Sequence, residues 1–217
     1  VCLAGKWGFI DRTGKVVIPI IYDNAQSEWN NSIRVCKDGK WGYVDSLGRG
    51  VIPCIYKDVE KFIDGVAFVS EDGEHYGLID LDGNKLTQFE YTTTTDFYEG
   101  LSAVECNGKW GYIDRQGKTA IPFIYDCAYC FSEGLAHVEL DGKVGFIDSY
   151  GNVAIPFKFC AAYMFHEGLA GVKINDKWGH KTGDIAIQTS AKVLKKAFRK
   201  SDLIGRLSGD EFAVIAP

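Results

Sequence analysis

One motif returns at an almost constant interval along this chain, and that interval restricts the fold more than any other property of the sequence. The glycine of a Lys-Trp-Gly-like triplet stands at Gly8, Gly42, Gly77, Gly111, Gly145 and Gly179, with spacings of 34, 35, 34, 34 and 34 residues. The surrounding text recurs with it: GKWGFIDRTGKVVIP from Gly5, GKWGYVDSLGRGVIP from Gly39, GKWGYIDRQGKTAIP from Gly108 and GKVGFIDSYGNVAIP from Gly142. The third unit, GEHYGLIDLDGNKLTQ from Gly73, has Tyr76 in place of Trp, one inserted residue and no Ile-Pro. A unit this small cannot bury an apolar face by itself, so successive units must stack and share their core.

Within each unit the pattern is that of strands. Trp-Gly-Tyr-Ile-Asp and Lys-Thr-Ala-Ile-Pro are short, aromatic and β-branched, and Asp-x-x-Gly separates them, as from Asp114 to Gly117. Asp first and Gly last suit a type I turn closing a tight hairpin. A third strand follows Glu-Gly, as at Gly134, and Asp141-Gly142 turns it into the first strand of the next unit. Pro19, Pro53, Pro122 and Pro156 are expected to end the second strand, where a missing N–H does least harm. Trp7, Trp41, Tyr76 and Trp110 form an aromatic ladder expected to lie in the core between units, a stacking groove for sugar or peptide being the other reading. Trp29 falls off the register of Phe62, Phe97, Phe131 and Phe165 and is expected to be more exposed.

Lys-Trp-Gly, Ile/Val-Asp, Gly, Ile-Pro, Tyr-Asp and Glu-Gly-Leu-Ala follow one another in that order from Gly5 to about Gly171. This stretch resembles the WG-repeat (KWG) family of bacterial proteins. The resemblance implies a β-rich array that mediates interactions rather than catalysing a reaction. The expected fold is mainly β, with tandem antiparallel three-stranded repeats over residues 1–172, about five units in an open solenoid-like array, because no closing strand is evident.

Candidate chemistry in the repeats has a plainer explanation at each point. Asp11, Asp45, Asp80, Asp114 and Asp148 could ligate calcium, but their fixed place before x-x-Gly favours turn capping. Cys127-Ala128-Tyr129-Cys130 is a lone CxxC, with only His137 and Cys160 nearby to complete a zinc site.

From Asn175 the text changes. Ile187, Ala191, Leu194 and Phe198 form one apolar stripe and predict a helix over about residues 183–199. Lys192, Lys195, Lys196, Arg199 and Lys200 crowd its C-terminal half, which suits the helix dipole. A hairpin is expected between residues 203–207 and 212–216, turning at Ser208-Gly209-Asp210-Glu211. Ile174-Asn175-Asp176, Gly179-His180, Gly183-Asp184, Ala191, Leu194, Arg199, Asp202, Arg206 and Ser208-Gly209-Asp210-Glu211-Phe212 form one ordered set. In that order and spacing they resemble the GGDEF family of diguanylate cyclases, which condense two GTP into cyclic di-GMP.

The resemblance implies that Asn175 and Asp184 hydrogen-bond the guanine edge, whose donors and acceptors an amide and a carboxylate can read together. It implies that Asp210 helps to hold Mg²⁺ and that Glu211 assists the attacking 3′-hydroxyl. Arg199 and Asp202 match the inhibitory RxxD site for cyclic di-GMP. Ser208 replaces the usual first glycine, Gly171-Val172 replaces Phe-Lys, and Glu167 stands where the family has an Asp metal ligand. Glu167 also belongs to the repeat's own Glu-Gly-Leu-Ala. Residues 173–217 cover a fraction of a cyclase domain, so the segment is expected to be a partial α/β domain, to bind GTP weakly and to be inactive as it stands. The alternative is a working cyclase segment with the repeats as its sensor.

Composition supports a boundary near residue 173. Residues 173–217 carry nine Lys and Arg against five Asp and Glu, net +4 in a chain of −5, which leaves −9 for residues 1–172. An acidic repeat surface favours a basic patch on a protein partner over nucleic acid. No apolar run is long enough to span a membrane. Seven cysteines, placed differently from repeat to repeat, favour reduced thiols in a cytoplasm, which the resemblance implies is bacterial. Val1 runs straight into a repeat without an initiator Met, and the natural N-terminus is expected to lie before it.

Overall fold

Residues 2–3, 5–27, 32–174, 203–208 and 211–215 are described by a computed structural model, and over them the chain is built of antiparallel sheets. Two compact units result, residues 1–94 with 115–118 and residues 95–114 with 119–217. The predicted helix over residues 183–199 and the environment of Trp29 lie outside the described residues.

The sheets hold one strand more than the sequence suggests. In the first unit Asn24–Ser27, Ser32–Lys37, Lys40–Asp45 and Gly50–Tyr56 form one four-stranded sheet in that order. In the second unit Cys127–Ala128, Leu135–Leu140, Lys143–Asp148 and Val153–Phe159 repeat it. The additional strand is the short segment after Tyr-Asp, two residues long in Cys127–Ala128 and too brief to carry a periodic signal. A sheet therefore straddles sequence units, its second strand coming from one Glu-Gly segment and its third and fourth from the Lys-Trp-Gly text that follows. The turn between second and third strands has Asp38 and Gly39, or Asp141 and Gly142, both at positive φ. That is the two-residue turn whose twist matches antiparallel strands. The degenerate third unit keeps Asp58–Val59, Val66–Ser70 and Tyr76–Asp80, and replaces its fourth strand by bridges Tyr76↔Tyr91 and Ile79↔Lys85.

The tryptophan-glycine step and the Ile-Pro step are one feature. Trp41 faces Tyr56 and Tyr43 faces Ile52, so Gly42 alone opposes Pro53, Cys54 and Ile55. The same shift recurs between Trp110/Tyr125 and Tyr112/Ile121, and between Val144/Phe159 and Phe146/Ile155. The fourth strand bulges over the glycine so closely that a Cβ on Gly42 would lie 2.5 Å from the Ile52 carbonyl oxygen. The prolines accordingly sit inside the fourth strand, at the bulge, rather than ending it. There a missing N–H costs no ladder bond.

The core lies between successive sheets within each unit. In the first, Tyr43, Ile52 and Tyr56 of one sheet meet Val59, Phe62, Ala67, Val69 and Ile79 of the next. In the second, Tyr112, Ile121 and Tyr125 meet Ala128, Phe131, Ala136, Val138 and Ile147. Tyr43 and Tyr112, two residues beyond the tryptophans, are fully buried, each 0% exposed. Trp41 and Trp110 are only half-buried at the border of these clusters, and Trp7 is 41% exposed. The expected tryptophan ladder is thus displaced by recurring, steeply inclined ring pairs: Tyr43–Phe62 at 4.7 Å, Tyr112–Phe131 at 5.0 Å and Phe146–Phe165 at 5.1 Å between centroids. The Tyr112 hydroxyl donates to the Tyr129 carbonyl at 2.7 Å, and the Tyr43 hydroxyl donates to that of Glu60. Removing the buried hydroxyl in Tyr112→Phe should cost about 1 kcal/mol. A denaturation midpoint unchanged from wild type would show that this bond does not hold the sheets.

Candidate functional site

The recurring aspartates have a local task. Asp11 Oδ1 accepts the amides of Thr13 at 2.8 Å and Lys15 at 3.0 Å, and Asp45 Oδ1 those of Leu47 and Arg49, both at 2.9 Å. Asp80 and Asp148 repeat the pattern with Asp82 and Asn84, and with Tyr150 and Asn152. These bonds hold the carboxyls below the ordinary range. The first contributor is the Thr13 hydroxyl at Asp11, the Arg49 amide at Asp45, and the Asn84 and Asn152 side chains at Asp80 and Asp148. The glycine amide then bonds back to the aspartate carbonyl, as Gly48 to Asp45 at 2.9 Å, which closes the turn. This is capping geometry, with each carboxylate already bonded to its own turn.

Other recurring polar residues stitch neighbouring sheets. The Lys109 ammonium contacts Asp126 Oδ1 at 2.5 Å, while Asp126 Oδ2 accepts the Asp141 amide at 2.7 Å. Lys6, Asp23 and the Asp38 amide make the same bridge in the first unit. The Glu-Gly carboxylates form a second series in the second unit. Glu99 accepts the Gly134 amide at 3.0 Å and Glu133 accepts that of Gly168 at 2.8 Å. Glu99, Glu133 and Glu167 all lie at positive φ, between 52° and 56°. Glu167 therefore shares the backbone of its repeat counterparts, which accounts for it without a metal.

The CxxC pair is split between settings. Cys127 lies on the short first strand and Cys130 beyond its end, and both are half-buried. Burial pushes the Cys130 thiol up. Among the described residues no three His, Cys, Asp or Glu side chains converge as metal ligands. His137, by sequence a candidate zinc ligand, is an unusual polar group in its burial. It is 5% exposed, its Nδ1 has no hydrogen-bond partner, and the Tyr129 ring stacks on it at 4.1 Å and 13°. Burial pushes its pKa down to about 4. A histidine facing Phe146 across the ladder leaves no signature in one sequence, since that position carries Arg34, Phe68 and Ala103 in other repeats.

The residues assigned to nucleotide chemistry by resemblance are placed only in part. Asn175, Asp184, Arg199, Asp202 and Asp210 lie outside the described residues. Glu211 begins the strand Glu211–Ile215, which pairs antiparallel with Leu203–Ser208, Leu203 facing Ile215 and Ser208 facing Glu211. The hairpin is therefore present at its expected place.

Successive antiparallel sheets, whose recurring polar residues serve turns and neighbouring sheets, define a tandem β-repeat protein. The profile for the WG containing repeat matches residues 7–41, 41–74, 76–110, 110–143 and 145–178, and the chain belongs to that family. A second profile, the GGDEF domain of diguanylate cyclases, matches residues 172–217, so the two overlap over residues 172–178. Among curated proteins, the probable diguanylate cyclase DgcC of Escherichia coli K12 is 57% identical over 40 residues, 18% of this chain and 11% of that protein. DgcJ of the same strain is 51% identical over 40 residues, 18% of this chain and 8% of its own length. The chain thus spans about a tenth of the length of the curated relatives it matches. Among solved structures, Kluyveromyces lactis Hsv2p gives a TM-score of 0.43 at 14% identity, covering 76% of this chain and 63% of that one. BamB from Moraxella catarrhalis gives 0.37 at 10%, covering 74% and 61%. Likeness at that level carries no functional statement. Among the described residues no helix is long and apolar enough to cross a membrane.

Proposed function

We propose that the repeats, up to a boundary near residue 172, are a non-catalytic interaction scaffold joined to a GGDEF segment that makes no cyclic di-GMP in this chain. The observation that carries the reading is the use of the recurring polar residues: aspartates, glutamates and lysines are spent on turns and sheet-to-sheet bonds. Recognition then falls to exposed residues that differ from unit to unit. Leu47 and Tyr150, at the third position of their Asp-x-x-Gly turns, are 63% and 85% exposed, and Tyr163 is 79% exposed. The charge of −9 over residues 1–172 favours a protein partner with a basic patch and disfavours nucleic acid. A reducing bacterial cytoplasm fits the seven unevenly placed cysteines.

A second reading, a cyclase segment with the repeats as sensor, is favoured by the 57% identity to DgcC over 40 residues. It would use Asp210 with Mg²⁺, Glu211 at the 3′-hydroxyl, and Asn175 and Asp184 on guanine. Under the first reading GTP binds weakly. Purified chain with GTP and Mg²⁺ is expected to yield no cyclic di-GMP, and calorimetry no micromolar affinity. Product that disappears in Glu211→Gln would establish the second reading and end the first.

A further inference from the structure

Among the described residues the last repeat sheet contains its first two strands. Ala161–Ala162 pairs antiparallel with Val172–Lys173, Ala161 facing Lys173 and Ala162 facing Val172. The Cys160 amide donates to the Lys173 carbonyl and the Tyr163 amide to that of Gly171, both at 2.8 Å. Antiparallel strands turn alternate residues to opposite edges. Gly171 and Lys173 therefore address the first strand, and the backbone N–H and C=O of Val172 face the other edge. Val172, Ile174, Ala162 and Ala170 pack on Val144, Phe146, Ile155, Phe159 and Phe165, so this segment belongs to the repeat core.

In the preceding sheet the corresponding edge is covered by Lys143–Asp148 and then Val153–Phe159, strands of six and seven residues. Two segments of this chain could take that place here. One is the repeat's own Lys177-Trp178-Gly179, in register with Lys143-Val144-Gly145. The other is the GGDEF-type hairpin, with strands of six and five residues in Leu203–Ser208 and Glu211–Ile215. In the structure Glu211–Ile215 lies beside Val172–Lys173, although the two pairs remain separate sheets. An apolar strand pair next to a sheet edge that carries no third strand among the described residues is a template for strand addition.

We propose that the hairpin of Leu203–Ser208 and Glu211–Ile215 completes the last repeat sheet in place of the repeat's own third and fourth strands, giving the order Ala161–Ala162, Val172–Lys173, Glu211–Ile215, Leu203–Ser208. The cyclase-derived segment then acts as a terminator of the array, and Glu211 is committed to a strand at its edge. This goes beyond the scaffold reading and stands without it, since it concerns what closes the sheet and not what the repeats bind.

Residue-resolved amide hydrogen exchange on the full chain tests it, with Val172 as reporter and Val138, its counterpart in the preceding sheet, as reference for intact folding. Val214→Pro removes a donor from the hairpin ladder, where Val214 faces Ile204. Trp178→Pro breaks the rival strand. The expected result is exchange at Val172 at least about tenfold faster in Val214→Pro and unchanged in Trp178→Pro, with Val138 protected in both. Acceleration in Trp178→Pro that equals or exceeds that in Val214→Pro assigns the edge to the repeat's own strand and overturns the proposal. No acceleration in either variant overturns it as well.

Discussion

Gly42→Ala is expected to destabilise the first unit by about 3 kcal/mol, the upper range for forcing a group into packed structure. The added Cβ would lie 2.5 Å from the Ile52 carbonyl oxygen and 2.7 Å from both the carbonyl carbon and oxygen of Pro53. These are backbone atoms of a bulged strand, so no rotamer change relieves the contact. Gly50→Ala is the control, because nothing lies within 4 Å of its Cβ position and its φ is not left-handed. That substitution should be neutral or slightly stabilising, since alanine restricts the unfolded chain. Denaturant midpoints for the two variants decide the matter. If Gly42→Ala falls within about 0.5 kcal/mol of Gly50→Ala, the bulge is not the reason for the glycine.

Acid should destabilise the second unit through His137. Its folded pKa of about 4 lies below the ordinary value of 6.5 for an unfolded chain. Between those values the unfolded state takes up a proton that the folded state refuses. Stability is therefore complete above pH 6.5 and falls as the pH drops toward 4, by as much as about 3 kcal/mol. The turn aspartates follow in a lower window. Their folded pKa values lie below the ordinary 3.8, so their contribution persists above that pH and is lost beneath it. His137→Phe separates the two effects, because Phe68 holds the equivalent ladder position in the third repeat. Its stability should be flat from pH 6.5 to 4. An equal slope in wild type and variant would assign the acid sensitivity elsewhere.

The repeat's reading from sequence went as far as local patterns reach. Asp-x-x-Gly and Asp-Gly specify their turns through φ and side-chain acceptors within a few residues, and both turns stand where expected. Alternating β-branched and aromatic residues marked three strands per unit. The short strand Cys127–Ala128 escaped notice because two residues have no period. The tryptophans looked like the core because they are the largest recurring side chains. The strand places them near its start, opposite Tyr56 and Tyr125, and sends Tyr43 and Tyr112 inward. Phe62 and Phe131 recur at the same period, so their pairing with those tyrosines was available to a comparison of positions, though not to a judgement of size.

The amino-acid sequence alone determined that this chain is a row of similar β units, where each turns, and that a GGDEF-type segment shares residues with the last unit. These follow from periodicity, turn chemistry and ordered motifs, all of which act over short stretches of chain. Only the tertiary structure decided that the tryptophan glycine and the Ile-Pro step are two sides of one bulge. It also decided that the glutamates of Glu-Gly hold the next unit's backbone, and that Val172–Lys173 is a repeat strand although the GGDEF match begins there. Those facts depend on which strands lie side by side, and strand pairing is set by burial between sheets some 34 residues apart.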